Sequence, residues 1–498
     1  MFERISPEEA GISSDAIKKF TEYVEKRGGI LHGVLMMRNG KIFSEQYWAP
    51  FHRDFCHRMY SQTKSYTAIA IGLLEQEGKL SLDDRLIDHF PDKIDGDLIP
   101  EMRELTIREM LTMTTLSTDM HVAWWFTSGD PDRTHLYINR KKPSRASGTL
   151  WEYDSAGSQV MASLVDRLAG MPLLAYLKSR LFDKMGTFGT AEMLRTANGD
   201  SWGDSALVCT MRDMASVGQL LINGGSWNGE QLLNEKFVRE ATSKRVDNRK
   251  NWFQCSFTHG YGYQIWRTEQ NGFAFVGMGD ELTVCLPDRN LVLVTTGDHQ
   301  GTDNRYRDMM LNAFFDMIVD EMKDEPLPAD PAAEERLATL NAGLKLRAEQ
   351  GLPDSPFRTE LDGKVFACAE NPMGITKVSF HFAEDGKTGE FRYTNAQGDK
   401  ALPFGVNHNV FGKFPQLGYS NDFGGLRTDD GFMYNDAVSF AWLDEKKFII
   451  LTQVIDRYFG LMSAVFAFRD GNVAALFQKV GEDFFDEYQG ELYGKEVK

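Results

Sequence analysis

Two apolar hairpin patterns separated by a long helical stretch constrain this fold most. The first, "GVLMMRNGKIFSEQYW" (33–48), places two apolar runs around Asn39-Gly40, a strong type I′ turn signal. The second, "ELTVCLPDRNLVLVTTG" (281–297), places two more around Pro287-Asp288-Arg289-Asn290. Between them the sequence is helical. "RMYSQTKSYTAIAIGLLEQEGKL" (58–80) stops near Gly78, and "TIREMLTM" (106–113) follows. "SAGSQVMASLVDRLAGMPLLAYLKSRLF" (155–182) breaks at Gly170-Met171-Pro172. A helix also precedes the first hairpin, with Ser13 or Ser14 at its cap and Gly28 near its end. An amphipathic helix (305–322) follows the second hairpin. Strands arriving from both ends of a helical insert predict an α+β domain, with helices packed on a mostly antiparallel sheet.

The texture changes after residue 322. "KDEPLPADPAAEERLATLNAGLKLRAEQGLPDSP" holds four of the sixteen prolines before residue 356, so 323–355 is expected to be a linker with one solvated helix. Residues 356–498 carry short runs such as "ITKVSFHF", "KFIILTQVI" and "SAVFAFRDG", separated by Gly, Asp and Asn. That pattern predicts an antiparallel sheet or small barrel. A chain of 498 residues is long enough for such a division into 1–322 and 356–498.

The net charge of −17 argues against nucleic acid or an anionic membrane as a partner. The five scattered cysteines lack C-x-x-C spacing, and the N-terminus lacks an apolar h-region. No apolar run reaches eighteen residues. A cytoplasmic protein with free thiols is the expectation. His52 and His57 flank Cys56 without a metal-ligand pattern and are read as structural, with no metal site expected. No cofactor is expected either, because the paired glycines of "GYGYQIW" and "VGMGDE" lack a dinucleotide fingerprint.

The chemistry is expected at Ser61 and Lys64. On a helix, residues i and i+3 share a face, so the amine can lie beside the hydroxyl. A partly desolvated lysine can accept the hydroxyl proton, and the helix N-terminus favours an oxyanion nearby. S-x-x-K alone is a weak pattern. Its surroundings carry more, in fixed order: "GLLEQEGKLSLDDRLIDHFP", "LTIREMLTMTTL", "SGTLWEYDSAGSQVMASLVDRLAG", "ALVCTMRDMASVGQLLINGG", "GYGYQIW" and "FAFVGMGDELTVCLPDRNLVLVTTGD". In that order and spacing, residues 5–322 resemble the serine β-lactamase and penicillin-binding-protein superfamily, in its class C-like branch of β-lactamases, DD-peptidases, D-aminopeptidases and esterases.

The resemblance implies the fold of that superfamily, a sheet with packed helices plus an all-helical subdomain. It implies Ser61 as nucleophile, Lys64 as base or part of it, and Tyr153 of "YDS" as proton shuttle. Gly277 of "FVG" matches the glycine of the third motif, and the oxyanion N–H groups would be those of Ser61 and Met278. Two positions depart from the family. Ser155 replaces the Asn of Y-x-N, leaving at most a hydroxyl contact to substrate. Phe275 stands where Lys or His helps to bind a free carboxylate, which lowers the lactamase and DD-carboxypeptidase readings.

Asp154, Asp280 and Glu281 either face the cleft, where they would attract a cationic substrate, or are turn and surface acids pointing outward. The tryptophans of "VAWWF" (122–126) either wall the cleft or pack in the core. The expected protein is a serine hydrolase of a small ester, amide or peptide, and a homo-oligomer is compatible with it. The rivals are a D-amino-acid-specific peptidase or β-lactamase with the same mechanism, and an inactive ligand-binding or scaffolding protein. Loss of Lys64 is expected to stop acylation with little effect on stability.

Overall fold

The structure, a computed structural model, describes residues 2–116, 129–140, 145–249, 255–300, 305–417, 433–456, 459–480 and 488–497. The tryptophans of 122–126 lie outside the described residues. The chain divides into two compact units, the first running from the N-terminus to Lys345 and the second beginning at Leu346.

In the first unit, Ser13 caps helix α1 (Ser14–Glu25) by accepting from the Ala16 amide. Strands β1 (Leu31–Arg38) and β2 (Lys41–Tyr47) form the expected hairpin, with positive φ at both Asn39 and Gly40. Helices α2 (Thr63–Gln76), α3 (Ser155–Ala169) and α4 (Met211–Ile222) come next. The chain returns through β3 (Phe273–Val276), β4 (Leu282–Leu286) and β5 (Leu291–Gly297) to helix α5 (Arg305–Phe314).

These strands form one antiparallel sheet in the order β2-β1-β5-β4-β3, edged by Trp266–Arg267. The N-terminal hairpin therefore pairs directly with the last strand, Val34 opposite Thr295. Alternate residues enter two different cores. Leu35, Met37, Val292 and Val294 face the core shared with α2, α3 and α4. Val34, Met36, Leu291 and Leu293 face the one shared with α1 and α5. Burial on both faces explains why β1 and β5 read as unbroken apolar runs rather than alternating ones.

The segment expected as a linker is different in kind. Helix α6 (Pro331–Gly343) is capped by Asp330, and Leu337 is buried in the core that holds α1. Arg336 pairs with Asp15 of α1 at 2.7 Å. Most of the other residues of α6 are small or polar and exposed. That is why its sequence reads as solvated although one stripe is docked.

The second unit is a closed barrel. Its strands are β6 (Val365–Cys368), β7 (Lys377–Phe382), β8 (Thr388–Asn395), β9 (Gly398–Val406), β10 (Val410–Leu417), β11 (Met433–Asp444), β12 (Lys447–Val454), β13 (Leu461–Arg469), β14 (Asn472–Val480) and β15 (Gly490–Glu496). Neighbours pair antiparallel, β15 joins β6, and β9 closes on β11 through Gly405–Ser439 and Val406–Phe440. Among the described residues, nine strands form the ring, and β10 runs along β11 beyond the closure. Phe380, Phe391, Phe404, Phe440, Phe448 and Phe466 fill the interior. The period-two burial along β13 is the pattern that marks the barrel in the sequence.

Candidate active site

Ser61, the candidate nucleophile, is set by the segment leading into α2. His57-Arg58 pairs with Val208-Cys209, and the Met59 amide donates to Leu207 O at 2.7 Å. Tyr60 then takes a left-handed backbone with φ 44°, unusual for a bulky residue, and its ring is buried under Arg58. Ser61 sits in the short turn Tyr60–Gln62, immediately before the first residue of α2. Every residue from Thr63 to Leu74 is buried, so this helix has no wet face onto which Lys64 could turn.

Lys64 is therefore buried, and its amine is accounted for by neighbours. Nζ is hydrogen-bonded to Ser61 Oγ at 2.9 Å and donates to Asp204 O at 2.8 Å. The Asp204 carboxylate lies 3.9 Å from the same nitrogen, itself wholly buried. Tyr153 meets the amine through its ring, whose centroid is 5.0 Å from Nζ. That ring is stacked on Trp266 at 5.8 Å, which fixes its plane against the sheet edge.

The third-motif strand closes the other side. Gly277 follows β3, and its amide donates to Glu281 O at 2.7 Å, closing the turn Met278–Asp280. The His299 amide donates to Gly279 O at 3.3 Å. Met278 is 38% exposed at the outer edge of this turn.

The flanking candidates sort differently from expectation. Asp154 does not face the cleft. It caps α3, its Oδ1 accepting from the Gly157 amide and its Oδ2 from the hydroxyls of Thr115 and Tyr137. Three donors leave it no role toward substrate. Ser155, the first residue of α3, is half-buried beside it. Phe275 is no substrate contact either, because its ring is wholly buried against Tyr66 of α2 at 5.9 Å. A cation at that position would have to displace this aromatic packing.

Asp280 and Glu281 are not surface acids. Both are buried behind the turn. Asp280 Oδ2 lies 3.2 Å from His299 Nδ1, and Oδ1 lies 3.9 Å from Arg307 Nη1. The Ile30 amide donates to His299 Nε2 at 2.8 Å, so the ring proton resides on Nδ1, toward Asp280. Burial drives the Glu281 carboxyl well above the usual range, and its acidic neighbours Asp280 and Asp298 add to that. His57, hydrogen-bonded to His32 at 3.1 Å, is pushed down to about 3 by burial.

Asp298 belongs to this buried group, and burial raises its carboxyl from the ordinary 3.8 to about 7. A raised folded-state value means that folding takes up a proton. The resulting stabilisation is full below 3.8 and is lost as pH rises through about 7. Asp298→Asn is expected to remove that dependence. The stability difference between the two proteins should move in the variant's favour by about 1.4 kcal/mol per pH unit across that window. Urea midpoints at several pH values measure it, and a difference independent of pH excludes Asp298 as the proton site.

Two site residues escape sequence reasoning. Asp204 lies in a polar loop with no motif of its own. Gln264, with φ 57°, accepts from the Ser65 hydroxyl through its backbone O and from the Ser158 hydroxyl through Oε1, tying α2 to α3. Its positive φ is invisible in "GYGYQIW".

Residues 16–311 match the family model described as Beta-lactamase. The chain belongs to the β-lactamase family. This β-lactamase-family chain is 24% identical over 289 residues to the 6-aminohexanoate-dimer hydrolase of Paenarthrobacter ureafaciens, covering 55% of this chain and 74% of that protein. Among solved structures it resembles a penicillin-binding protein homologue from Caulobacter crescentus, with TM-score 0.50 and 15% identity over 61% of this chain and 98% of that one. It also resembles SurE solved with D-Leu, with TM-score 0.50 and 15% identity over 89% of this chain and 95% of that one. The family and the curated relative identify a hydrolase.

Proposed function

We propose that this protein is a serine hydrolase of small esters or amides, working through an acyl-enzyme on Ser61. The observation that carries the reading is the 2.9 Å contact between Ser61 Oγ and a buried Lys64 amine. A neutral amine there takes the hydroxyl proton as Oγ attacks a carbonyl carbon. The carbonyl oxygen becomes an oxyanion at the positive end of α2, between the backbones of Ser61 and Met278. To Tyr153, whose ring centroid lies 5.0 Å from the amine, this reading assigns the passage of the proton to the leaving group. Water then attacks the ester and frees Ser61.

Phe275 narrows the substrate. It stands at the third-motif position where the family has Lys or His, and its ring is buried against Tyr66, so no cation is offered from there to a free carboxylate and substrates without one are favoured. Likeness to a 6-aminohexanoate-dimer hydrolase supports the amide arm, because two amino acids are joined through an amide. The test is a side-by-side measurement of kcat/KM for a p-nitrophenyl ester, a D-amino acid amide and a cephalosporin. The ester or amide is expected to exceed the cephalosporin by about tenfold or more, the worth of one polar contact left unpaired. A cephalosporin turned over fastest overturns the Phe275 argument and restores the lactamase reading.

A further inference from the structure

The buried carboxylate of Asp204 is used by none of the steps above. It is 1% exposed, it lies 3.9 Å from Lys64 Nζ, and its own backbone oxygen accepts from that nitrogen at 2.8 Å. We infer that Asp204 is a positioning residue for Lys64, aiming the amine at Ser61 and stabilising the ammonium formed when Ser61 gives up its proton. The inference rests on the acyl-enzyme reading of this site.

The loop that carries Asp204 is held along the first turns of α2 at successive residues. The Thr67 hydroxyl donates to Gly203 O at 2.6 Å, and the Leu207 amide donates to Thr63 Oγ1 at 3.1 Å. Arg58, from the strand leading into Ser61, donates through Nε to Ser205 O and through Nη2 to Ser205 Oγ. Gly203 has no room for a side chain, since a Cβ there would come within 2.3 Å of Ala162 Cβ. The same contacts that fix Ser61 thus fix Asp204, and its carboxylate cannot swing to solvent.

Its charged surroundings are few. Arg133, on the helix Arg133–Ile138, is buried and stacks over Trp202 at 5.2 Å, with Arg58 4.4 Å over the same ring. Burial pushes the Arg133 guanidinium down to about 10, and Asp204 is the main group opposing that. Asp200, on the same loop, is hydrogen-bonded to the Ser163 hydroxyl at 2.7 Å. Tyr153 completes the shell around the amine. Asp204 is therefore the carboxylate nearest the nitrogen that must gain a charge during acylation. Opposite charge at this distance stabilises the ammonium once the hydroxyl proton has arrived.

The test reads the rate at which a fluorophosphonate labels Ser61 as a function of pH. Oγ–P forms as P–F breaks, fluoride leaves with the bonding pair, and the hydroxyl proton passes to Lys64 Nζ. In Asp204→Asn the acidic limb of that profile is expected to move to lower pH by about one unit or more. Asp204→Ser, whose vacated space admits water, serves as the second variant should the amide not fold. A limb that stays in place overturns the inference, even if the urea midpoint falls, because a merely structural residue lowers stability without moving it. An unlabelled Ser61 in the folded wild type instead overturns the acyl-enzyme reading, and this inference with it.

Discussion

Lys64→Ala is expected to slow fluorophosphonate labelling of Ser61 by a factor of about 100 to 10,000, and Ser61→Ala to abolish it. The range is what a positioned general base contributes. The structure adds a consequence that runs against the sequence-based expectation of little effect on stability. Below the acidic limb of the labelling profile, where the amine carries its proton, removing it leaves the Asp204 carboxylate wholly buried without the cation 3.9 Å away. Breaking a buried ion pair from one side costs about 3 kcal/mol or more, because a charge is left uncompensated. Lys64→Met, which keeps the stem volume, should cost a similar amount, so lost packing is not the cause. Adding Asp204→Asn to Lys64→Met should restore much of the stability while restoring none of the labelling. Urea unfolding of the two single variants and the double variant forms the cycle that separates the two effects. Labelling of Lys64→Ala within threefold of wild type removes lysine as the base. Strictly additive stabilities remove the pair.

The parts of this molecule that were legible in the sequence are those written in local periodicity or in a short motif. Asn39-Gly40 announces its hairpin because few other residues tolerate positive φ at both turn positions. The break at Gly170–Pro172 is visible because glycine takes the left-handed cap and proline starts the next helix. Ser61 and Lys64 are legible because one helical turn brings them together whatever the rest of the chain does. Asp204 is not, since its partner is 140 residues away and only the closed fold makes them neighbours. Asp154 shows the converse failure. Beside Tyr153 it reads as a candidate for the cleft, yet a strand-like residue before a helix is where a carboxylate serves as cap. Its other two donors come from Thr115 and Tyr137, which no local rule connects to it. Phe275 fails for a related reason. Its place in the third motif is a matter of order along the chain, whereas its ring packs against α2 across the sheet. Burial of Asp280 and Glu281 was invisible because the cluster that encloses them draws on His299, Arg307 and Ile30 from three other segments.

Gly277→Ala is expected to lower the acylation rate of folded protein by about 100-fold. The backbone there is not the obstacle, since φ −112° and ψ 162° suit any residue. Space is. A Cβ at Gly277 would sit 2.4 Å from Met59 O and 2.9 Å from Glu281 Cβ. One is backbone and the other is the first atom of a wholly buried side chain, so neither can rotate aside. Met59 lies two residues before Ser61, and the Glu281 backbone oxygen accepts the Gly277 N–H hydrogen bond that closes the Met278–Asp280 turn. The added methyl therefore pushes the third-motif strand away from the nucleophile, by about 1 Å if ordinary contact is restored, and a misplacement of that size costs roughly 100-fold. It also strains the turn from which the Met278 amide would meet the oxyanion. Gly343→Ala is the control, for nothing lies within 4 Å of a Cβ there. The decisive measurement is the labelling rate per folded molecule, with the folded fraction taken from urea unfolding of the same samples. If Gly277→Ala only unfolds the protein, the folded remainder labels as fast as wild type, and the turn is then a packing element rather than half of an oxyanion site.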